Sequence, residues 1–262
     1  MEIIIPIHIA DKKSMALLEK AIKSVNLKEN KALIVCPLEI KSELLKLIKK
    51  FGLVEENILV NETGDYCFES QVNFGVSKCE GKYFSILEYD DTYHEKWFEN
   101  VEKYTTYYPQ VSMFMPLGNL YDYKTGKYLG YSNELALSSS FADENGVLTN
   151  EMLLTYPTFF PQGCVLKKED FIKIGGFKKS IKYANWYEFM LRLTFNGNEI
   201  HVIPKIGCIH MLNREGSYTD ECDKKMTQKE QEAWVNLATK EYFYTNDREK
   251  LPVVKDEEEI ND

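Results

Sequence analysis

The chain has 262 residues, 44% hydrophobic, 28% charged and 13% aromatic. A chain of this length buries roughly 70–75% of its extended surface, so it needs neither disulfides nor a structural metal to fold; collagen-like, low-complexity and wholly disordered classes are excluded. Lys+Arg 32 against Asp+Glu 41 gives a formal charge of −9, which argues against a surface broadly tuned to nucleic-acid phosphates.

The start, Met1-Glu2-Ile3-Ile4-Ile5-Pro6, lacks the basic region and the long apolar stretch of a signal peptide. Ile3 to Ile7 is a continuous apolar run, as in a strand covered on both faces. Ser14 is placed to cap a helix carrying Met15, Leu18, Ile22 and Val25 on one face. Ala32 to Cys36 reads as a second buried strand. The helix after it turns Leu44, Leu47, Ile48 and Phe51 inward and stops at Gly52. Ile58 to Val60 is a third strand, Gln71 to Cys79 a helix, and Tyr83 to Leu87 a fourth strand that breaks into Glu88-Tyr89-Asp90-Asp91. This alternation predicts an α/β fold with a parallel sheet and right-handed crossovers.

Beyond a helix from Trp97 to about Tyr104 the rhythm changes. Met113 to Pro116 and Tyr121 to Tyr131 read as strands, the latter turned at Lys124-Thr125-Gly126-Lys127. Ser138 to Asn150 is the expected mobile loop, Pro161 to Leu166 a strand, and Lys168 to Ile174 a helix closed by Gly175-Gly176. Trp186, Phe189, Met190 and Leu193 follow at helical spacing, then a strand from Ile200 to Ile209 and a helix around Gln228 to Tyr242. The end, Asp256-Glu257-Glu258-Glu259, reads as a disordered acidic tail. No run of about 18 apolar residues occurs, so no membrane span is expected. Cys36, Cys67, Cys79, Cys164, Cys208 and Cys222 form no C-x-x-C pair and read as reduced thiols of a cytoplasmic protein.

In open parallel sheets, ligands bind beyond the carboxyl ends of the strands. Glu88, Asp90 and Asp91 fall there, and converging carboxylates repel unless a cation or donors are present. One reading is a site for a hard divalent ion; the other is a helix cap supplied by Asp90 or Asp91.

The order of motifs resembles the GT-A glycosyltransferases, particularly the large inverting family two. The matching pieces are Ile3-Ile4-Ile5-Pro6-Ile7-His8, Ala21-Ile22-Lys23-Ser24-Val25, Asn73-Phe74-Gly75-Val76 with Gly81-Lys82-Tyr83, and Glu88-Tyr89-Asp90-Asp91, where the family usually writes Asp-x-Asp-Asp. Phe171-Ile172-Lys173-Ile174-Gly175-Gly176-Phe177 and Tyr187-Glu188-Phe189-Met190-Leu191-Arg192-Leu193 resemble its acceptor-side segment, and the likeness covers roughly residues 2 to 215. It implies a Rossmann-like, mostly parallel central sheet flanked by helices, with a smaller mixed sheet on the acceptor side. Residues 1–110 would form the nucleotide-sugar half, 111–220 the acceptor half and 221–262 a C-terminal helix and tail, fused in one domain.

The resemblance also implies roles. Asp90, Glu88 and His210 would hold Mn²⁺ or Mg²⁺ against the diphosphate of a sugar nucleotide, UDP-linked by default, with Asp91 beside them in the catalytic cluster. Pro6, His8, Glu39, Asn73, Glu88 and Arg214 would contact the nucleotide sugar. His8, Asn73, His210 and Arg214 also have purely structural readings: a satisfied histidine, a backbone bridge, a strand-end histidine and a surface ion pair. An inverting transfer needs a carboxylate to accept the acceptor's proton. Where the family carries Glu-Asp, this chain carries Asn185 and Trp186, neither of them a base. Glu188 could substitute, the reaction could be retaining, or the protein could bind a nucleotide sugar or glycan without transferring it. Trp186 and Asn185 are candidates for touching the acceptor, with core packing as the other reading of Trp186. The acceptor is open among glycan, lipid, protein and, in a phage-type enzyme of the host cytoplasm, a hydroxymethylated DNA base.

Overall fold

The computed structural model describes residues 1–138 and 145–254. The first half alternates as expected: β1 (Glu2–Pro6), α1 (Lys12–Ser24), β2 (Lys31–Cys36), α2 (Lys41–Ile48), β3 (Ile58–Val60), α3 (Phe68–Lys78) and β4 (Tyr83–Ile86). The second half holds β5 (Thr92–Tyr93), α4 (Trp97–Tyr107), β6 (Met113–Asp122), β7 (Tyr128–Tyr131), α5 (Glu134–Ser138), β8 (Gly146–Leu148), α6 (Asn150–Thr155), β9 (Val165–Lys167), α7 (Lys168–Lys173), α8 (Asn185–Phe195), β10 (Ile200–Leu212), α9 (Tyr218–Lys225) and α10 (Gln228–Glu241).

The strands form one sheet in the order β3-β2-β1-β4-β9-β6-β10-β5, with β7 beside β6 and β8 beside β10. β3, β2, β1 and β4 run parallel. β9 is antiparallel to both β4 and β6, and β6 pairs parallel with β10. The smaller mixed sheet expected on the acceptor side is therefore the continuation of the parallel one. Because successive strand residues point to opposite faces, Ile4 enters one core with Val35, Val72, Phe84 and Phe189. Ile3 and Ile5 enter the other, with Leu18, Ile22, Leu44 and Trp97. At Gly75, α3 lies so close to the sheet that a Cβ would sit 2.9 Å from both Ile4 Cγ2 and Val35 Cγ2.

Local signals misplace several boundaries. The cap of α1 is Asp11, whose carboxylate accepts the Ser14 N–H at 2.7 Å, while Ser14 itself is buried. α3 starts three residues before Gln71, which brings Glu69 into its first turn. The strand expected from Pro161 is confined to β9, because Cys164 N–H closes a turn onto the Pro161 carbonyl. Within the expected mobile loop, 146–148 pair with β10 as β8 and Asn150 opens α6; residues 139–144 and the acidic tail lie outside the described residues.

Candidate active site

The apolar run of β4 ends at Ile86, and Leu87 N–H still donates to the Ile4 carbonyl at 2.9 Å. Glu88 is thus the first residue beyond the sheet. Asp91 N–H donates to the Glu88 carbonyl at 3.1 Å, closing a turn that carries Glu88, Asp90 and Asp91. β5 then runs antiparallel to β10, with Tyr93 opposite Cys208 and Thr92 opposite Ile209. One step further, this register sets Asp91 opposite His210, and the His210 Nδ1 lies 2.8 and 2.9 Å from the two Asp91 carboxylate oxygens. Past β10, Asn213 adopts φ +60, a left-handed conformation that asparagine tolerates better than most residues. The chain turns back there, and Arg214 Nε donates to Asp90 Oδ2 at 2.7 Å with its guanidinium 5.6 Å from the Tyr89 ring centroid.

Charge in this cluster is balanced internally. Burial, and then the charges of Asp91 and Asp90, push the Glu88 carboxyl up to about 8. Burial also raises Asp91, against the pull of His210. For His210 burial acts downward, but the carboxylates of Asp91, Glu88 and Asp90 together outweigh it and the imidazole is held up at about 9. Around neutral pH the site therefore contains two cations, His210 and Arg214, facing an acidic turn.

The ligand set expected for Mn²⁺ or Mg²⁺, Asp90, Glu88 and His210, shares this cluster but is not arranged to grip an ion. Asp90 is engaged by Arg214 and His210 by Asp91, and among the described residues no three His, Cys, Asp or Glu side chains are grouped as an ion would need. As arranged, these residues do not fit a divalent ion.

Other expected contacts divide sharply. Pro6 ends β1, buried, and His8 and Glu39 are exposed beyond the carboxyl ends of β1 and β2. Asn73 is a clamp instead of a free ligand: its amide donates to the Phe177 carbonyl at 2.7 Å and accepts the Phe177 N–H at 2.9 Å. Trp186 packs with its ring centroid 4.7 Å from Phe177 and 6.2 Å from Phe68, so its ring is part of an aromatic cluster. Glu188 is corrected outright. It is 1% exposed and bound by Lys178 at 2.8 Å and by Arg192 at 2.9 Å through each oxygen. Both oxygens are thus taken up by basic side chains, and the carboxylate is not free to accept a substrate proton.

Two residues at this end of the sheet escaped the sequence reading. Gln162, in the turn before β9, lies beside Glu88 and favours its charged form, while its own Oε1 stays buried without a partner. Glu69, 5% exposed in the first turn of α3, accepts the Asn185 side-chain amide at 2.6 Å. A helix begun three residues earlier would have shown Glu69; nothing local marks Gln162.

Neither a family model nor a curated protein matches the sequence. Solved structures do match. S. aureus TarS 1-349 in complex with UDP-GlcNAc is 15% identical, aligned over 95% of this chain and 68% of that one, with a TM-score of 0.67. The same segment of S. aureus TarS without ligand is 14% identical over 90% and 77%, TM-score 0.62, and in complex with UDP 13% identical over 92% and 80%, TM-score 0.59. At this identity the likeness establishes the architecture, the GT-A fold of glycosyltransferases. No helix among the described residues is long and apolar enough to cross a membrane.

Proposed function

We propose that this chain is a glycosyltransferase that moves a sugar from a UDP-linked donor to an acceptor hydroxyl. The observation that carries the reading is the Glu88–Asp91 turn at the carboxyl end of β4, locked to His210 and Arg214 from the end of β10. It sits on a fold whose solved relatives bind UDP and UDP-GlcNAc. Protonated His210 and Arg214 provide fixed positive charge and N–H donors for a diphosphate. Such charge-assisted bonds act most strongly on the leaving nucleoside diphosphate, where charge accumulates as the glycosidic bond breaks. Pro6, His8 and Glu39, at the ends of β1 and β2, line the approach for the base and ribose.

The reading is tested by calorimetry and thermal shift with UDP, UDP-GlcNAc and other nucleotide sugars, each with Mn²⁺, with Mg²⁺ and with EDTA. A ligand at a hundred times its Kd stabilises the fold by about 2.7 kcal/mol, which for a chain of this size is a rise of roughly 5–10 °C. Arg214→Ala and His210→Ala should each remove most of that rise. No shift with any nucleoside diphosphate or sugar donor rejects the proposal. A divalent ion enters the scheme only by taking Asp90 from Arg214, so donor affinity that collapses in EDTA is the result that would add Mn²⁺ or Mg²⁺ to it. A second reading, a donor-binding protein without turnover, is favoured by Asn185, Trp186 and the sealed Glu188; donor binding without UDP release would select it.

A further inference from the structure

We propose that Glu69 is the group that accepts the proton of the acceptor hydroxyl, held in place by Asn185 where the starts of α3 and α8 meet. The proposal rests on the glycosyltransferase reading above and adds to it the base that reading lacks. Transfer to a hydroxyl makes the bond between the acceptor oxygen and the anomeric carbon. It breaks the bond from that carbon to the phosphate oxygen, and the nucleoside diphosphate leaves with the electron pair. The hydroxyl proton passes to the Glu69 carboxylate.

Besides Glu88, which sits in the acidic turn with His210 and Arg214, the buried carboxylates among the described residues are Glu2, Glu69, Asp91, Glu188 and Glu241. Four have a cation within ion-pair reach: Lys31 for Glu2, His210 for Asp91, Lys178 and Arg192 for Glu188, Arg248 and Lys250 for Glu241. Glu69 has none; its partner is the neutral amide of Asn185, which orients one oxygen without stabilising the negative charge as a cation would. A carboxylate buried this way keeps its affinity for a proton, and burial indeed raises the Glu69 carboxyl above its ordinary value. The ionisable groups around it are Cys67, Lys182 and Tyr218, and only Lys182 favours its charged form by Coulomb attraction.

Position supports the same role. Tyr218 donates from its hydroxyl to the Lys182 carbonyl, three residues before Asn185, and Arg214 holds Asp90. Arg214 and Tyr218 are four Cα-to-Cα steps apart, at most about 14 Å. The acidic turn and the Glu69–Asn185 pair are thus tied to opposite ends of one short strap. α9, which begins at Tyr218, buries only Cys222, so little packing opposes its displacement by an acceptor.

The experiment uses the full chain with UDP-GlcNAc, following donor affinity by calorimetry and UDP release with water as the acceptor. Glu69→Gln keeps an oxygen for the Asn185 amide but cannot take a proton. It should bind donor with unchanged Kd, hold KM within a few-fold, lose about 10²–10⁴-fold in kcat, and lose the acid limb of the pH–rate profile. Glu69→Asp, which keeps the charge and withdraws it by one methylene, should fall between. Adding Asn185→Asp to Glu69→Gln, which returns a carboxylate to the same contact, should recover at least tenfold. Glu69→Gln with kcat within threefold of the parent, or a parent protein that binds donor but releases no UDP, overturns the assignment. A parent protein that binds no UDP sugar removes the underlying reading, and the role of Glu69 with it.

Discussion

A carboxylate buried beside a neutral amide is a cost to the fold, and Glu69 carries that cost where a cation would have relieved it. Its carboxyl titrates above the ordinary value of 4.5 in the native state. From pH 4.5 up to its native value, the folded protein retains a proton that the unfolded chain has released. Stability therefore falls as pH rises through that window and does not return above it. Glu69→Gln is neutral throughout, so it should melt above the parent at pH 7.5 and level with it at pH 4, read by thermal scans across that range. A variant that melts lower at both pH values would mean that the carboxylate stabilises the fold, contrary to its environment. This is also the scale at which the sequence was least legible. Glu88-Tyr89-Asp90-Asp91 could be read because it is contiguous and follows an apolar strand. Asp91 and His210 lie 119 residues apart, and Glu69 and Asn185 116 apart; no local pattern links such partners, which meet only through strand register and helix placement.

At the scale of elements, α8 shows how an acidic residue in a suggestive position can be wholly structural. Glu188 and Arg192 stand one turn apart on the helix, and Lys178 reaches in from the preceding loop. Lys178 also donates to the Glu241 carbonyl at 2.6 Å and Arg192 to the Gly176 carbonyl at 2.8 Å, so the trio ties α8 to the loop after α7 and to the end of α10. Removing one partner of such a set strands buried charge and costs about 3–5 kcal/mol. Glu188→Ala should lower Tm by roughly 6–20 °C while leaving UDP affinity unchanged at low temperature. Lost affinity with an unaltered Tm would return Glu188 to the functional site. Gly75 offers a second check on packing. An added methyl must push α3 off Ile4 and Val35, so Gly75→Ala should cost about 1–3 kcal/mol in denaturant titrations, and a neutral outcome would show that α3 has room to shift. The elements that were legible, β1, β2, β3 and the stop at Gly52, carry their signals within their own residues. β9 does not: three residues long, it exists because β4 and β6 pair with it on either side, and α9, with one buried residue, has no periodicity to read.

At the scale of the molecule, the continuous sheet decides how the chain unfolds. β4, the last strand of the parallel half, has β1 on one side and β9, from residues 165–167, on the other. Trp97 of α4 packs so closely on β10 that a Cβ at Gly207 would lie 2.7 Å from its ring. Residues 1–110 alone would expose both the β4 edge and the Trp97 face, and uncovered edges of this kind template aggregation. The fragment is accordingly expected to be insoluble or unfolded, and the full chain to unfold in one step. The three tryptophans suit the measurement, since Trp97, Trp186 and Trp234 report from α4, α8 and α10. Variants retaining one tryptophan each, with the others changed to phenylalanine, should give urea midpoints that coincide with one another and with far-UV circular dichroism, as two-state unfolding requires. If Trp97 held its midpoint while Trp186 and Trp234 lost theirs at lower urea, residues 1–110 would be a separate folding unit. The register joining β4 to β9 would then contribute little to holding the Glu88–Asp91 turn against His210.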